Sequence, residues 1–237
     1  MLLVLLDAFH LGDPLFVPQL ARDVAARKEG LVFVHGSGEA GERALEARGV
    51  FPEARGGVWP TADAAEAAEV ERAARDLNRR IVHEMNEAGA PAVRVMASDR
   101  GLVARGADGA LRPGKTDWLS TLVGQGGVAV VAAFVAGDAG PLAEVDAAAT
   151  AAVLAGALGA DAVALLVSGR TAGIGGPDGV RDTVQLAEAL AGGTLPDAGL
   201  AERLVGHLVG ATSMPVVATL AARLRGRGTP PGTRIVP

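Results

Sequence analysis

The feature that most constrains this chain is a series of short, almost uninterrupted apolar runs set between segments of helical length. Leu2–Leu6, Leu31–Val34, Ala92–Met96, Val128–Val135 and Ala162–Val167 read as strands buried on both faces. Between them lie an amphipathic stretch from 14 to 28 that stops at Glu29-Gly30, a helix over 39–48, and a long helix over 61–86. Thr61 is the expected N-cap of that long helix, with Asp63 in its first turn. An alanine-rich helix over 146–158 stops at Gly159, further helices fall near 180–190 and 198–209, and late strands are expected at 215–218 and 233–236. Asp108-Gly109 marks a hairpin. Strands alternating with helices predict βαβ units, hence an α/β chain folded as a three-layer α/β/α sandwich on a mainly parallel open sheet. The expected organisation is one domain over 1–237, with an N-terminal lobe over 1–137 and a C-terminal lobe over 138–237. The boundary falls in Gly137-Asp-Ala-Gly140-Pro141, and 225–231 is the one linker-like stretch.

Composition narrows the function classes. With 237 residues, 49% of them hydrophobic, the chain buries a large core and is not disordered. Charge or glycine breaks every apolar run before it reaches membrane-spanning length, and the opening Met1-Leu-Leu-Val-Leu-Leu-Asp7 has no basic flank, so it reads as a core strand. There is no cysteine, which excludes disulfides and thiolate metal sites and agrees with a cytoplasmic location. A net charge of −5 and 3% aromatic residues argue against a nucleic-acid surface. No metal site is expected.

The segment Leu31-Val-Phe-Val-His35-Gly-Ser-Gly38 followed by Glu39-Ala-Gly-Glu-Arg spells a buried strand, a glycine turn and a helix start. Such a turn aims main-chain N–H groups and the positive end of a helix dipole at an anion. Phosphoryl chemistry adds lysines to this arrangement, and the lysines of this chain are Lys28 and Lys115. Gly114-Lys115-Thr116 is similar to the end of a P-loop, but no buried strand precedes it and it is set aside. Asp7 with His10, at the end of the first strand, and Asp146 are further candidates, though Asp146 also suits a helix N-cap. His83 and His207 fall within helix patterns without a metal-ligating companion.

Taken in order, these elements resemble the amino acid kinase family, in particular its N-acetylglutamate kinase branch and the branch acting on carrier-protein-bound aminoadipate. The resemblance rests on Arg27-Lys-Glu-Gly30 with the strand and turn that follow, Leu77-Asn78-Arg79-Arg80-Ile81-Val82, Gly89-Ala-Pro-Ala-Val93, the passage Ala155–Leu166, and Gly232-Thr-Arg-Ile235. It implies transfer of the ATP γ-phosphoryl group to a carboxylate, with Mg²⁺. It implies anion or substrate contacts at His35, Gly36, Ser37, Gly38, Thr61 and Asn78, and nucleotide contacts at Ser168, Gly169, Gly173, Gly175 and Gly176. Arg203 falls where a family lysine is expected and is the candidate catalytic residue. A homodimer through the first-lobe sheet and the long helix is also implied.

Four charged positions depart from the family pattern. The first strand ends in Leu6-Asp7-Ala8 in place of a Lys-x-Gly-Gly motif, and Arg203 replaces a lysine. Asp146 and Ala148 stand where an Asn-x-Asp motif is expected, which removes the lysine-organising acid. Near Trp59-Pro60-Thr61, where the family has an Arg ahead of a Thr, only the threonine remains, with Arg55 within reach. Two readings stand. One is a catalytically degenerate member that binds a small anion or nucleotide and serves as a regulatory or structural partner, including of an active kinase in a hetero-oligomer. The other is an active ATP-dependent kinase of an N-acylated acidic amino acid that uses Arg203.

Overall fold

The computed structural model describes residues 1–137, 141–168, 173–176, 179–209 and 214–237. Its elements follow the expected alternation. The N-terminal part contains β1 (Leu2–Leu5), α1 (Ala8–Gly12), α2 (Phe16–Ala25), β2 (Leu31–His35), α3 (Gly38–Glu46), α4 (Ala64–Glu87), β3 (Ala92–Met96), β4 (Val103–Arg105), β5 (Leu111–Pro113), α5 (Asp117–Gly124), β6 (Val128–Ala132) and β7 (Phe134–Val135). There follow β8 (Ala143–Glu144), α6 (Ala147–Leu158), β9 (Ala162–Leu166), β10 (Gly175–Gly176), β11 (Gly179–Val180), β12 (Thr183–Gln185), α7 (Leu186–Ala191), α8 (Ala198–Leu208), β13 (Val216–Thr219) and β14 (Thr233–Val236).

Among the described residues, eight strands form one sheet in the order β12-β14-β13-β9-β1-β2-β6-β3, and every neighbouring pair is parallel except β13 with β14. Side chains alternate between its faces. Leu3 and Leu5 pack towards α5, α6 and α8, while Leu2 and Val4 pack towards α2 and α4. Both faces are covered, which is why the central strands read as continuous apolar runs. β1 lies between β2 and β9, so the chain winds off in opposite directions on its two sides. The carboxyl ends there, at Asp7, Gly36–Gly38 and Ser168, flank the crevice where open α/β sheets place ligands.

Several elements differ from the sequence reading, among them the helix expected near 180–190, which begins only at Leu186 as α7 because Gly179–Val180 and Thr183–Gln185 form β11 and β12. The helix expected over 14–28 is the shorter α2, and a separate α1, capped by Asp7 and not expected from the sequence, precedes it across Gly12-Asp13-Pro14. The cap of α4 is Asp63 rather than Thr61: Asp63 accepts the Glu66 N–H at 2.8 Å, and the Glu66 carboxylate accepts the Ala62 N–H at 2.6 Å. That reciprocal pair is close to a capping box, with the Glu66 carboxylate reaching the N–H one residue ahead of the cap. The stretch 225–231 is clamped rather than free. Arg27 donates to the carbonyls of Leu224 and Gly228, Glu29 accepts the Gly228 N–H, and Arg225 pairs with Asp23.

A buried polar knot ties α4 across the N-terminal half of the sheet. His35 is fully buried, and its Nδ1–H donates to the Gly36 carbonyl at 2.7 Å. Its Nε2 therefore accepts, and the donor is Asn78 Nδ2 of α4 at 3.1 Å. The second Asn78 N–H reaches the Val130 carbonyl of β6 at 2.9 Å. One contact thus fixes the imidazole tautomer, the amide orientation and the position of α4. Burial pushes the His35 pKa down to about 4, against the milder opposing effect of the Gly36 carbonyl.

Between pH 6.5 and about 4 the unfolded chain takes up a proton at His35 that the folded chain refuses. Stability from this group is therefore fully present above pH 6.5 and is lost as pH falls towards 4, by about 3 kcal/mol. Denaturant unfolding at stepped pH is expected to show this slope in the wild type and to lose it in His35→Gln. A His35→Gln profile with the wild-type slope would contradict the assignment.

Candidate functional site

The His35–Gly38 turn closes β2 and opens α3. With both ring nitrogens engaged and its side chain fully buried, His35 holds the turn from behind, and Asn78, almost fully buried, lines a separate hollow with Arg75, Arg94 and Asp99. Among the main-chain donors of the turn, the Ser37 N–H is taken. The Glu144 carboxylate of β8 accepts it through Oε1 at 2.6 Å, while its Oε2 accepts the Trp59 N–H at 3.2 Å. A Cβ on Gly36 would lie 3.3 Å from the same Oε1, so glycine leaves the carboxylate its room. Trp59 closes the other side, with its indole N–H donating to the Gly38 carbonyl at 2.9 Å. Burial pushes the Glu144 carboxyl above the usual carboxylate range, opposed in part by the hydrogen bonds from Ser37 and Trp59.

Outside Glu144 opens a cleft of about 750 Å³. Its wall includes Trp59, Thr61, Asp63, Arg105, Phe134 and Leu142. Thr61, displaced from its expected capping role, is exposed on this wall. On the far side of the turn is a smaller hollow of about 90 Å³ between α1 and α3, lined by Ala8, Gly38, Arg43 and Arg80. Both arginines are engaged there, Arg43 with Glu39 and Arg80 with the Leu11 carbonyl. Asp7 stands at the end of β1, where the family resemblance called for lysine. It caps α1 and accepts a bond from His10 Nδ1 at 2.7 Å, so the Asp7–His10 pair is a closed local contact.

Arg203 projects from α8 onto Asp146, the N-cap of α6, with Nε 3.2 Å from Oδ2. His207, one turn further along α8, lies 3.3 Å from the same oxygen. The acid facing Arg203 is thus Asp146, whereas position 148 is an alanine buried in α6. The hairpin Arg55–Val58 reaches across to this pair. A Cβ on Gly57, whose φ is +75°, would lie 2.3 Å from Arg203 Nη2, so the guanidinium fits against the turn only because residue 57 is glycine.

The expected nucleotide contacts divide. Ser168 is exposed after β9 and its N–H donates to the Thr194 carbonyl. Gly173 is buried against Thr233, whose hydroxyl accepts the Ile174 N–H and donates to the Arg181 carbonyl. Gly175 and Gly176 form β10, paired with β11. Gly169 lies outside the described residues, as do residues 138–140 of the expected lobe boundary. Gly114 and Lys115 donate their main-chain N–H groups to the Leu102 and Gly101 carbonyls, so they form no phosphate cradle. Among the described residues, no group of three or more His, Asp or Glu side chains is placed to hold a metal ion. Asp7 and Glu144 place two carboxylates beside the turn, one held by the α1 start and His10, the other by the Ser37 and Trp59 N–H groups. Sequence reasoning missed Glu144. Nothing local marks it, and its contact with Ser37 spans 107 positions.

The profile of the amino acid kinase family matches residues 10–169. Compared by sequence with curated proteins, the chain finds no match. Among solved structures it is similar to N-acetylglutamate synthase from Neisseria gonorrhoeae, with a TM-score of 0.71 and 21% identity, over 100% of this chain but only 59% of that one. It is also similar to isopentenyl phosphate kinase from T. acidophilum (TM-score 0.64, 14% identity, 100% of both chains). A third match is Giardia carbamate kinase (TM-score 0.61, 17% identity, 99% of this chain and 98% of that one). At these identities the likeness is one of fold. The sequence match over most of the chain, with the sheet order and crevice described above, places this protein in the amino acid kinase family.

Proposed function

We propose that this chain is a non-phosphorylating member of the family that binds a small acidic metabolite or a nucleotide and works as a regulatory or structural partner. The observation that carries this reading is that the charged groups around the turn are answered inside the chain: Asp7 by His10, Glu144 by two main-chain N–H groups, Arg203 by Asp146, Arg43 by Glu39 and Arg80 by the Leu11 carbonyl. Phosphoryl transfer is driven by positive charge preorganised around the moving group. Here Arg203 is already paired with Asp146, and Arg43 and Arg80 beside the turn are likewise engaged. One observation favours the second reading, an active kinase of an N-acylated acidic amino acid using ATP and Mg²⁺. Arg203 keeps a cation close to where the resemblance expects lysine, and Asp146 orients it. Arg carries this charge on a planar fork, which positions a transferring phosphoryl differently from a lysine ammonium.

The location proposed is cytoplasmic, and among the described residues no helix is long and apolar enough to cross a membrane. The proposed assembly is a homodimer through β3, which ends the sheet, and α4, with a hetero-oligomer with an active kinase as a further form. Light scattering at micromolar concentration is expected to give twice the chain mass, and a monomer would remove this assembly.

With ATP, Mg²⁺ and either N-acetylglutamate or an aminoadipate derivative, ADP release and hydroxamate formation are expected to stay at background. Calorimetry is expected to register binding of a nucleotide or of the acidic metabolite. Turnover that Arg203→Ala abolishes would establish the kinase reading instead.

A further inference from the structure

We propose that Glu144 is a built-in ligand of the glycine turn, its carboxylate occupying the place an outside carboxylate or phosphate would take, so that such an anion enters only when Glu144 is withdrawn. The proposal rests on the reading of the turn as an anion site and says what fills it.

The geometry is that of a received ligand. Two main-chain N–H groups from separate segments, Ser37 and Trp59, converge on different oxygens of one carboxylate. A carboxylate accepting main-chain N–H bonds at a helix start is what the helix dipole and the free donors there favour. Gly36 leaves the space into which Oε1 fits. The hairpin of β7 and β8 delivers the side chain: Phe134 pairs with Glu144, Val135 pairs with Ala143, and the Val145 N–H is held by the Ala133 carbonyl at 2.9 Å. The Ala133 N–H in turn bonds the His35 carbonyl, so hairpin and turn share one frame. Glu144 also forms part of the wall of the 750 Å³ cleft, so removing its side chain joins the cleft to the Ser37 N–H. With Glu144 in place, the cleft presents a carboxylate at its inner wall, and a ligand that keeps Glu144 seated must offer it a hydrogen-bond donor or a cation rather than an anion.

The test is chemical rescue. Thermal unfolding of wild type and Glu144→Ala is followed with acetate, formate or phosphate in the tens of millimolar, against chloride at equal ionic strength. Glu144→Ala is expected to lose several degrees in chloride and to regain part of them in acetate or formate, while wild type unfolds at the same temperature in every salt. A Glu144→Ala protein indifferent to all three anions, or a wild type that responds as strongly, would overturn the proposal. Should Glu144→Ala not fold, Glu144→Gln decides. Its amide fills the space but cannot accept at both ends, so a lowered midpoint that acetate does not restore is expected, and a wild-type midpoint would overturn the idea. The readout is anion binding, so kinase turnover alongside successful rescue would remove the proposed function and leave this inference standing.

Discussion

The hydrogen bond between the buried His35 imidazole and the Asn78 amide is the constraint on which the rest of the N-terminal half depends. A fully buried imidazole is tolerable only when neutral and bonded at both nitrogens, and the Gly36 carbonyl and Asn78 meet those demands. Because Asn78 also bonds the Val130 carbonyl, the same contact sets α4 against β2 and β6. The glycine turn that follows is therefore a fixed bracket, and its Ser37 N–H donates to Glu144.

Around that bracket the chain answers its own charges. Asp7 is held by the α1 start and His10, Glu144 by two main-chain N–H groups, and Arg203 by Asp146. Each is a local arrangement of a kind many folds use. Together they engage, with internal partners, the positions for which the sequence resemblance implied cations and an anion. The family architecture persists because it is carried by the sheet and its covering helices, which are indifferent to the sign of these few side chains.

Much of this architecture was legible in the sequence. The apolar runs located the central strands, and Asp146 and Gly159 bounded α6. The site was harder to read. Asp63 and Thr61 are both good caps, and only the Glu66 spacing three residues after Asp63 chooses between them. His35 beside a glycine turn reads as a ligand residue, because its burial is produced by β6 and α4, far along the chain. Glu144 has no local signature at all, and Asp146 meets Arg203 across 57 positions. Contacts of this kind are set by tertiary packing, to which propensity and spacing are blind.

The central claim, that an internal carboxylate holds the donor of the turn, is tested most directly at the Ser37 amide itself. In a ¹⁵N–¹H spectrum recorded through a pH titration, that amide proton is predicted to resonate far downfield while Glu144 is ionised. It should move upfield as Glu144 protonates, in a transition above the ordinary carboxylate range, and phosphate at neutral pH should leave it unmoved. A Ser37 amide that ignores the ionisation of Glu144, or that shifts on adding phosphate to the wild-type protein, would contradict the account.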